Sequence, residues 1–226
     1  MNIGLLGFGV VGGGVWELAQ ENRALNVKKV LVRREAPSLG KAAVQDVEAI
    51  LRDTEIDTVV EVLGGLHPAY EWICRALAAG KDVVTANKAV ISAYYRELTA
   101  LAHENGAALR CTAAVGGGIP WLVNLQRCRR VDTVTEVGGI MNGTTNFIMD
   151  AMARQGADFP AVLQRAQELG YAEADPSADI DGDDIRRKLT ISANIAFDAL
   201  LREEDIPAFG LSLIHISEPT RPEPIS

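Results

Sequence analysis

Apolar positions along this chain fall into short β-branched runs closed by glycine, alternating with stretches in which apolar residues recur at helical spacing. Residues 2–6 (NIGLL) lead straight into Gly7-Phe8-Gly9-Val10-Val11-Gly12, and residues 15–22 then have helical character. Residues 27–32 form a second apolar run and residues 58–63 a third, which closes in Gly64-Gly65. Residues 68–79 read as a helix, residues 82–85 as a fourth strand before Asn87-Lys88, and residues 109–112 as a fifth. Strand and helix in strict alternation predict an α/β fold with a doubly wound parallel sheet, whose ligands lie at the carboxyl ends of the strands. Gly64-Gly65 and the segment from Thr85 to Lys88 both fall at such ends.

The pattern changes after residues 113–120 (AAVGGGIP), where three glycines and a proline predict a hinge. Residues 131–140 alternate as a strand and stop at Met141-Asn142-Gly143-Thr144-Thr145-Asn146, ahead of a helix over 147–154. A further helix is expected to start at Asp181-Gly182 and run from 184 to 200. The organisation expected is therefore a first domain over 1–115, a second over 116–210, and a tail over 211–226. That tail, LSLIHISEPTRPEPIS, has no periodicity and three prolines in its last eight residues, so no packed element is expected there. Its SLIHISEPTRP stretch resembles the translation of a sequencing-library adapter, which leaves His215 without a catalytic role.

The glycines of the first turn carry the first chemical reading. Gly7 suits a tight turn, Gly9 lets backbone approach a pyrophosphate, and Gly12 lets the helix pack on the strand; the helix N-terminus, with Phe8, Val10 and Val11, then offers free N–H donors. A glycine-rich packing turn is the alternative. The second strand ends in Arg33-Arg34 rather than an acidic residue, which suits the 2′-phosphate of NADP; Glu35 keeps NAD possible, and exposed basic residues at a strand end are the plain alternative. Gly64, Gly65, Thr85 and Lys88 complete the expected cofactor edge, although Lys88 reads equally as a surface lysine.

Composition narrows the function classes. The chain has 226 residues and a formal net charge of −8, which argues against a nucleic-acid partner. Cys74, Cys111 and Cys128 form an odd set without CxxC spacing, as expected of reduced thiols. The apolar N-terminus lacks a basic leader and is broken by glycines, so the expectation is a cytoplasmic protein without a membrane partner.

The densest chemistry lies in residues 170–188, GYAEADPSADIDGDDIRRK, with six carboxylates and a terminal lysine. Asp184 and Lys188 are four apart and share one helix face, where they can act on one small molecule. With Glu173 in the preceding loop they provide parts for proton transfer and for gripping an ammonium group. A solvated acidic cap with an ordinary ion pair is the alternative. A calcium loop over 179–183 fails, because Asp184 stands where the loop needs glycine and Thr190 where it needs a bidentate glutamate.

Taken in order, GFGVVG, VVTANK, AAVGGGIP, GGIMNGTTNFI and the 170–188 stretch resemble the signatures of homoserine dehydrogenases, over residues 2 to about 209. The resemblance implies a Rossmann-type cofactor domain followed by an α+β substrate and dimerisation domain, incomplete here. It also implies NAD(P)-dependent interconversion of L-homoserine and L-aspartate 4-semialdehyde, in the pathway to threonine, methionine and isoleucine. On it, Lys188 would exchange the proton at the reacting oxygen, Lys88 would assist beside the nicotinamide, and Asp184 would position substrate and Lys188. Glu173 would bind the substrate amino group, with Asp179, Gly170, Tyr171, Asn142 and Thr144 completing the pocket. A sodium ion would be held by backbone oxygens of Val115, Gly117 and Ile119; the acidic residue some members carry there is replaced by Thr112. Members are longer and form homodimers, so a fragment that only binds cofactor is one alternative. Another is a different Rossmann oxidoreductase acting on a small amino or hydroxy acid.

Overall fold

The computed structural model describes residues 1–211. Six parallel strands, β1 (Asn2–Leu6), β2 (Asn26–Leu31), β3 (Ala43–Val44), β4 (Thr58–Glu61), β5 (Asp82–Thr85) and β6 (Leu109–Arg110), form one sheet in the order β3-β2-β1-β4-β5-β6. Four predicted strands are found within a residue or two of their expected bounds. The fifth is shorter, giving way to a 3-10 turn at Thr112–Ala114, and β3 is an addition, too short to leave a periodic signal. The order reverses between β1 and β4, which pair directly with Leu5 opposite Val60. At such a switch point the loops leaving the two strands diverge and open a crevice at their carboxyl ends.

Both faces of the sheet are covered, which is why its strands read as continuous apolar runs. Leu5, Val30 and Val60 pack on one face with Ala19 of α1 (Val10–Glu21), while Leu6 and Val59 turn to the opposite face. There they meet α3 (Ala69–Ala78), whose buried Ala69, Ile73, Ala76 and Leu77 form one stripe at helical spacing. α4 (Lys88–Glu104) lies beside it, with Val90, Ile91, Leu98 and Ala102 buried. A short α2 (Glu48–Leu51) covers the β2 side with Ile50 and Leu51.

The remaining helices are α5 (Trp121–Cys128), α6 (Gly143–Gln155), α7 (Phe159–Glu168), α8 (Ser177–Ile180) and α9 (Asp183–Phe197). α9 ends at Phe197, short of residue 200, because Asp198 adopts a left-handed conformation (φ 54°) that closes the helix. Its Ile191 and Ile195, with Leu122 and Leu125 of α5, belong to the same buried cluster as Ile91 and Leu98 of α4. The second half of the chain is therefore anchored to the sheet domain through α9. Glu203 adds a polar clasp, accepting from Ser92 of α4 and from Arg187 of α9. α6 and α7 close a small separate core of Ile148, Ala151, Val162 and Ala166.

The strand expected over residues 131–140 is not formed. Among the described residues no strand follows β6, so this segment has no ladder to join and its backbone stays irregular. Val134 and Val137 still rest on the main core, while Val131 and Ile140 are exposed. Leu211, assigned to the unpacked tail, packs on the α6–α7 core, and the tail expected over 212–226 lies outside the described residues. No helix among the described residues is long and apolar enough to cross a membrane.

If α9 anchors the second half, truncating Ile191, which is wholly buried, should weaken the fold by about 2–5 kcal/mol. Urea unfolding of Ile191→Ala against the parent measures this; a loss below about 1 kcal/mol would mean that α9 merely rests on the sheet domain.

Candidate functional site

The crevice at the switch point is a cavity of about 760 Å³ lined by Gly7, Phe8 and Gly9, by Arg33, Arg34 and Glu35, and by Leu63 and Gly64. The three glycines of the first turn divide the work as their spacing predicts. Gly7 has φ +105°, a conformation open to glycine at little cost. A Cβ on Gly12 would stand 2.3 Å from the Gly7 carbonyl oxygen, so only glycine lets α1 approach β1 this closely. A Cβ on Gly9 would meet nothing within 4 Å: that face of the turn opens on free space. No side chain caps α1, and the first intrahelical donor here is Gly13 N–H, to Gly9 O at 2.8 Å. The N–H groups of the first turn are thus left for an anion, and the cradle fits the pyrophosphate of a dinucleotide.

Not every expected cofactor residue faces this cleft. Val10 and Val11 are exposed on the first turn of α1, whereas Gly12 is buried in the packing. Thr85 is buried and its hydroxyl donates to Glu61 Oε2 at 2.6 Å, so its side chain braces the sheet edge rather than the cleft. Gly65 lies one residue beyond the lining Gly64, and Lys88 points elsewhere. His67, Pro68 and Trp72, which the sequence reading passes over, complete the wall.

Lys88 points to Asp184. It is the first residue of α4, begun by Asn87, whose side chain accepts from Val90 N–H. From there Nζ donates to Asp184 Oδ1, a contact between residues 96 positions apart. Lys188, one turn along α9 from Asp184, donates to its Oδ2 at 2.7 Å and to the Met141 carbonyl at 2.7 Å. Asn142, whose Oδ1 caps α6 by accepting from Thr145 N–H, donates through Nδ2 to Asp184 Oδ2 at 2.9 Å and to Asp179 Oδ1 at 2.6 Å. Thr144 Oγ1 lies 2.6 Å from the Tyr171 carbonyl and 2.9 Å from the other Asp179 oxygen, and its single proton serves one of them at a time. The NGTTN segment is thus more than a cap: it ties the acidic loop to the head of α9.

Asp184 is the centre of this arrangement, with its side chain only 4% exposed. Burial pushes its carboxyl pKa up, but the donors Lys188, Lys88 and Asn142 more than offset that, holding it below the ordinary 3.8. Two ammonium groups share the Asp184 carboxylate, and the Asp179 carboxylate stands on the other side of Asn142. Lys188 commits two of its three protons, to Asp184 and Met141, and keeps one for a guest. A cavity of about 400 Å³ opens beside it, lined by Val115, Gly116, Ile119, Trp121, the 138–143 segment, Asn146 and Lys188. This volume suits a small molecule.

Other expected substrate residues lie outside this convergence. Glu173 is exposed, and only its backbone oxygen is engaged, by Gln167. Tyr171 stacks its ring on Phe147 and Gly170 closes the turn after α7 at φ 78°. Of the backbone positions expected around a cation, Val115 and Ile119 line the smaller cavity, and the Ile119 oxygen accepts from Trp121 N–H. The sequence reading also missed Trp121, whose indole donates to Ser192 Oγ of α9 and so fixes one wall of that cavity.

Comparison with known proteins identifies the family to which this fold belongs. A model described as the NAD-binding domain of homoserine dehydrogenase matches residues 7–112, and one described as homoserine dehydrogenase matches residues 120–221. A homoserine dehydrogenase of Synechocystis is 43% identical over 93% of this chain and 52% of its own length. The crystal structure of a homoserine dehydrogenase from Thiobacillus denitrificans superposes with a TM-score of 0.89 at 40% identity, over 95% of this chain and 53% of the other. A solved structure from Archaeoglobus fulgidus assigned to the same enzymes is 32% identical with a TM-score of 0.81, over 95% of this chain and 73% of its own. A hyperthermophilic archaeal homoserine dehydrogenase in complex with NADPH gives 0.76 at 26% identity, over 93% and 73%. The chain spans about half the length of the curated relatives it matches.

Because the carboxyl pKa of Asp184 is lower folded than unfolded, it adds stability above the unfolded value, and this is lost as pH falls through the folded one. Asp184→Asn should therefore be less stable than the parent at neutral pH, with the difference shrinking below about pH 4. Urea midpoints measured from pH 7 down to 3 test this, and a gap that stays constant across the range would contradict it.

Proposed function

Since the chain belongs to the homoserine dehydrogenase family, we propose that it carries the cofactor site and reactive centre for NAD(P)-dependent interconversion of L-homoserine and L-aspartate 4-semialdehyde. The observation that carries this reading is the convergence of Lys88, from the sheet edge, and Lys188, from α9, on one buried carboxylate. When bound in the glycine cleft, the nicotinamide supplies or takes the hydride at C4. Lys188 holds the C4 oxygen with its free proton, giving that proton to the alkoxide in reduction and taking it back in oxidation. Lys88 adds a second positive charge beside that oxygen, and Asp184 fixes both ammonium groups so that neither must reorganise as charge develops.

The smaller cavity holds the amino-acid part of the substrate, with Asn142, Asn146 and Lys188 as its polar lining and with Asp179 and Thr144 bracing Asn142 from behind. In this reading Glu173 receives the substrate ammonium group, with Gly170 and Tyr171 shaping the same loop. NADP is preferred to NAD: two guanidinium groups, Arg33 and Arg34, line the cleft where the second strand ends. A sodium ion held by the carbonyls of Val115, Gly117 and Ile119 belongs to the same reading. The left-handed Gly116 and Gly117 turn the backbone there, and among the described residues no cluster of three or more acidic, histidine or cysteine side chains offers a metal another seat. The two-domain division near residue 115, a homodimer, a cytoplasmic location and a role in making threonine, methionine and isoleucine follow from the family.

Two outcomes test these roles. In a chain extended to the length of its relatives, Lys188→Ala should cut NADPH oxidation by L-aspartate 4-semialdehyde about 10²–10⁴-fold. Its NADPH affinity should stay near the parent's, and an equal loss of both would assign Lys188 a structural role. Replacing Arg33 and Arg34 together by alanine should lower the preference for NADPH over NADH about tenfold or more in fluorescence titrations; an unchanged ratio would move 2′-phosphate recognition elsewhere.

A further inference from the structure

Glu61 ends β4 and is wholly buried, yet among the described residues no lysine, arginine or histidine pairs with it. A buried carboxylate without a cation is costly, and an apolar side chain of similar size would serve the fold alone at lower cost. Its oxygens are held by neutral donors. Oε2 accepts from Thr85 Oγ1 at 2.6 Å, and Oε1 accepts from Leu63 N–H at 2.8 Å and from Asn87 Nδ2 at 3.4 Å. Thr85 Oγ1 in turn accepts from Asn87 N–H at 3.0 Å. Asn87 also donates from Nδ2 to the Gly65 carbonyl at 2.7 Å while capping the helix that begins with Lys88.

One carboxylate therefore grips both loops leaving neighbouring strands: the Leu63-Gly64-Gly65 turn that walls the cofactor cleft, and the Thr85-Ala86-Asn87 turn that launches Lys88. We propose that Glu61 is a positioning residue, which sets the cofactor-facing turn and the start of α4 in one register so that a bound nicotinamide dinucleotide is presented to Lys88. The inference rests on the cofactor reading above and extends it to a residue that touches neither cofactor nor substrate.

The test uses the chain as it stands, with NADPH as probe and two readouts. The first is the dissociation constant from nicotinamide fluorescence. The second is how far saturating NADPH protects Lys88 from acylation, followed by peptide mass spectrometry; saturation removes any effect of weakened affinity. Glu61→Gln and Thr85→Val should each weaken NADPH binding about tenfold, the double variant little more than either, and all three should lose most of the protection of Lys88. Thr85→Ser, which keeps the hydroxyl, should bind and protect like the parent. Should Glu61→Gln fail to fold, the Thr85→Val and Thr85→Ser pair decides the matter by the same two readouts. Folded variants with parental affinity and protection would overturn the proposal alone. A parent chain that does not bind NADPH would overturn the cofactor reading and this proposal with it.

Discussion

The carboxylate of Asp184 is the constraint on which the proposed reactive centre depends. It receives two lysines and an asparagine from three separate elements, and so ties the head of α4, the start of α6 and the beginning of α9 to one point. The arrangement is expensive in isolation, because removing a carboxylate from water must be matched by donors of good geometry. Here three donors supply it. The consequence is that the carboxylate is indispensable to the arrangement: removing Asp184 leaves two ammonium groups facing each other without their shared partner.

The surrounding architecture follows from the same demand for satisfied polar groups. A parallel sheet covered on both faces places its loops, and hence its free N–H groups, at the carboxyl edge. The switch point between β1 and β4 opens the cofactor cleft there, and β5 delivers Lys88 two strands from β1. α9 then crosses onto this edge. Its apolar residues join the main core while its first two turns supply Asp184 and Lys188, so core packing and the lysine–carboxylate cluster are carried by different turns of one helix.

Much of this was legible in the sequence because the signals are local. The glycine spacing from 7 to 12 specifies a turn and a close approach, and the four-residue interval from 184 to 188 specifies a shared helix face; both are found. The remainder depends on partners far along the chain. That Lys88 meets Asp184 rather than facing the first cleft is a tertiary fact, since nothing near residue 88 names its partner. The alternation over 131–140 matches a strand in side-chain pattern alone, but a strand also needs a neighbouring ladder, and none is present among the described residues. Glu61 did carry a signal that went unused. A carboxylate within the apolar run TVVEVL has to find donors, and the parallel register sets it opposite Thr85.

Asp184 and Glu61 also show why two buried acids in one fold need not be alike. Asp184 is surrounded by cations, so it remains ionised and its charge organises theirs. Glu61 is surrounded by a hydroxyl, a backbone N–H and an amide, which orient a group without neutralising it. The first arrangement suits a centre where charge changes during reaction. The second suits a joint between loops, since neutral donors bind in fixed directions and a mobile cation does not. The two meet through Asn87 and Lys88, adjacent in sequence, one tied to each acid, so the Gly64-Gly65 turn and the lysine that Asp184 holds are joined through a single helix start.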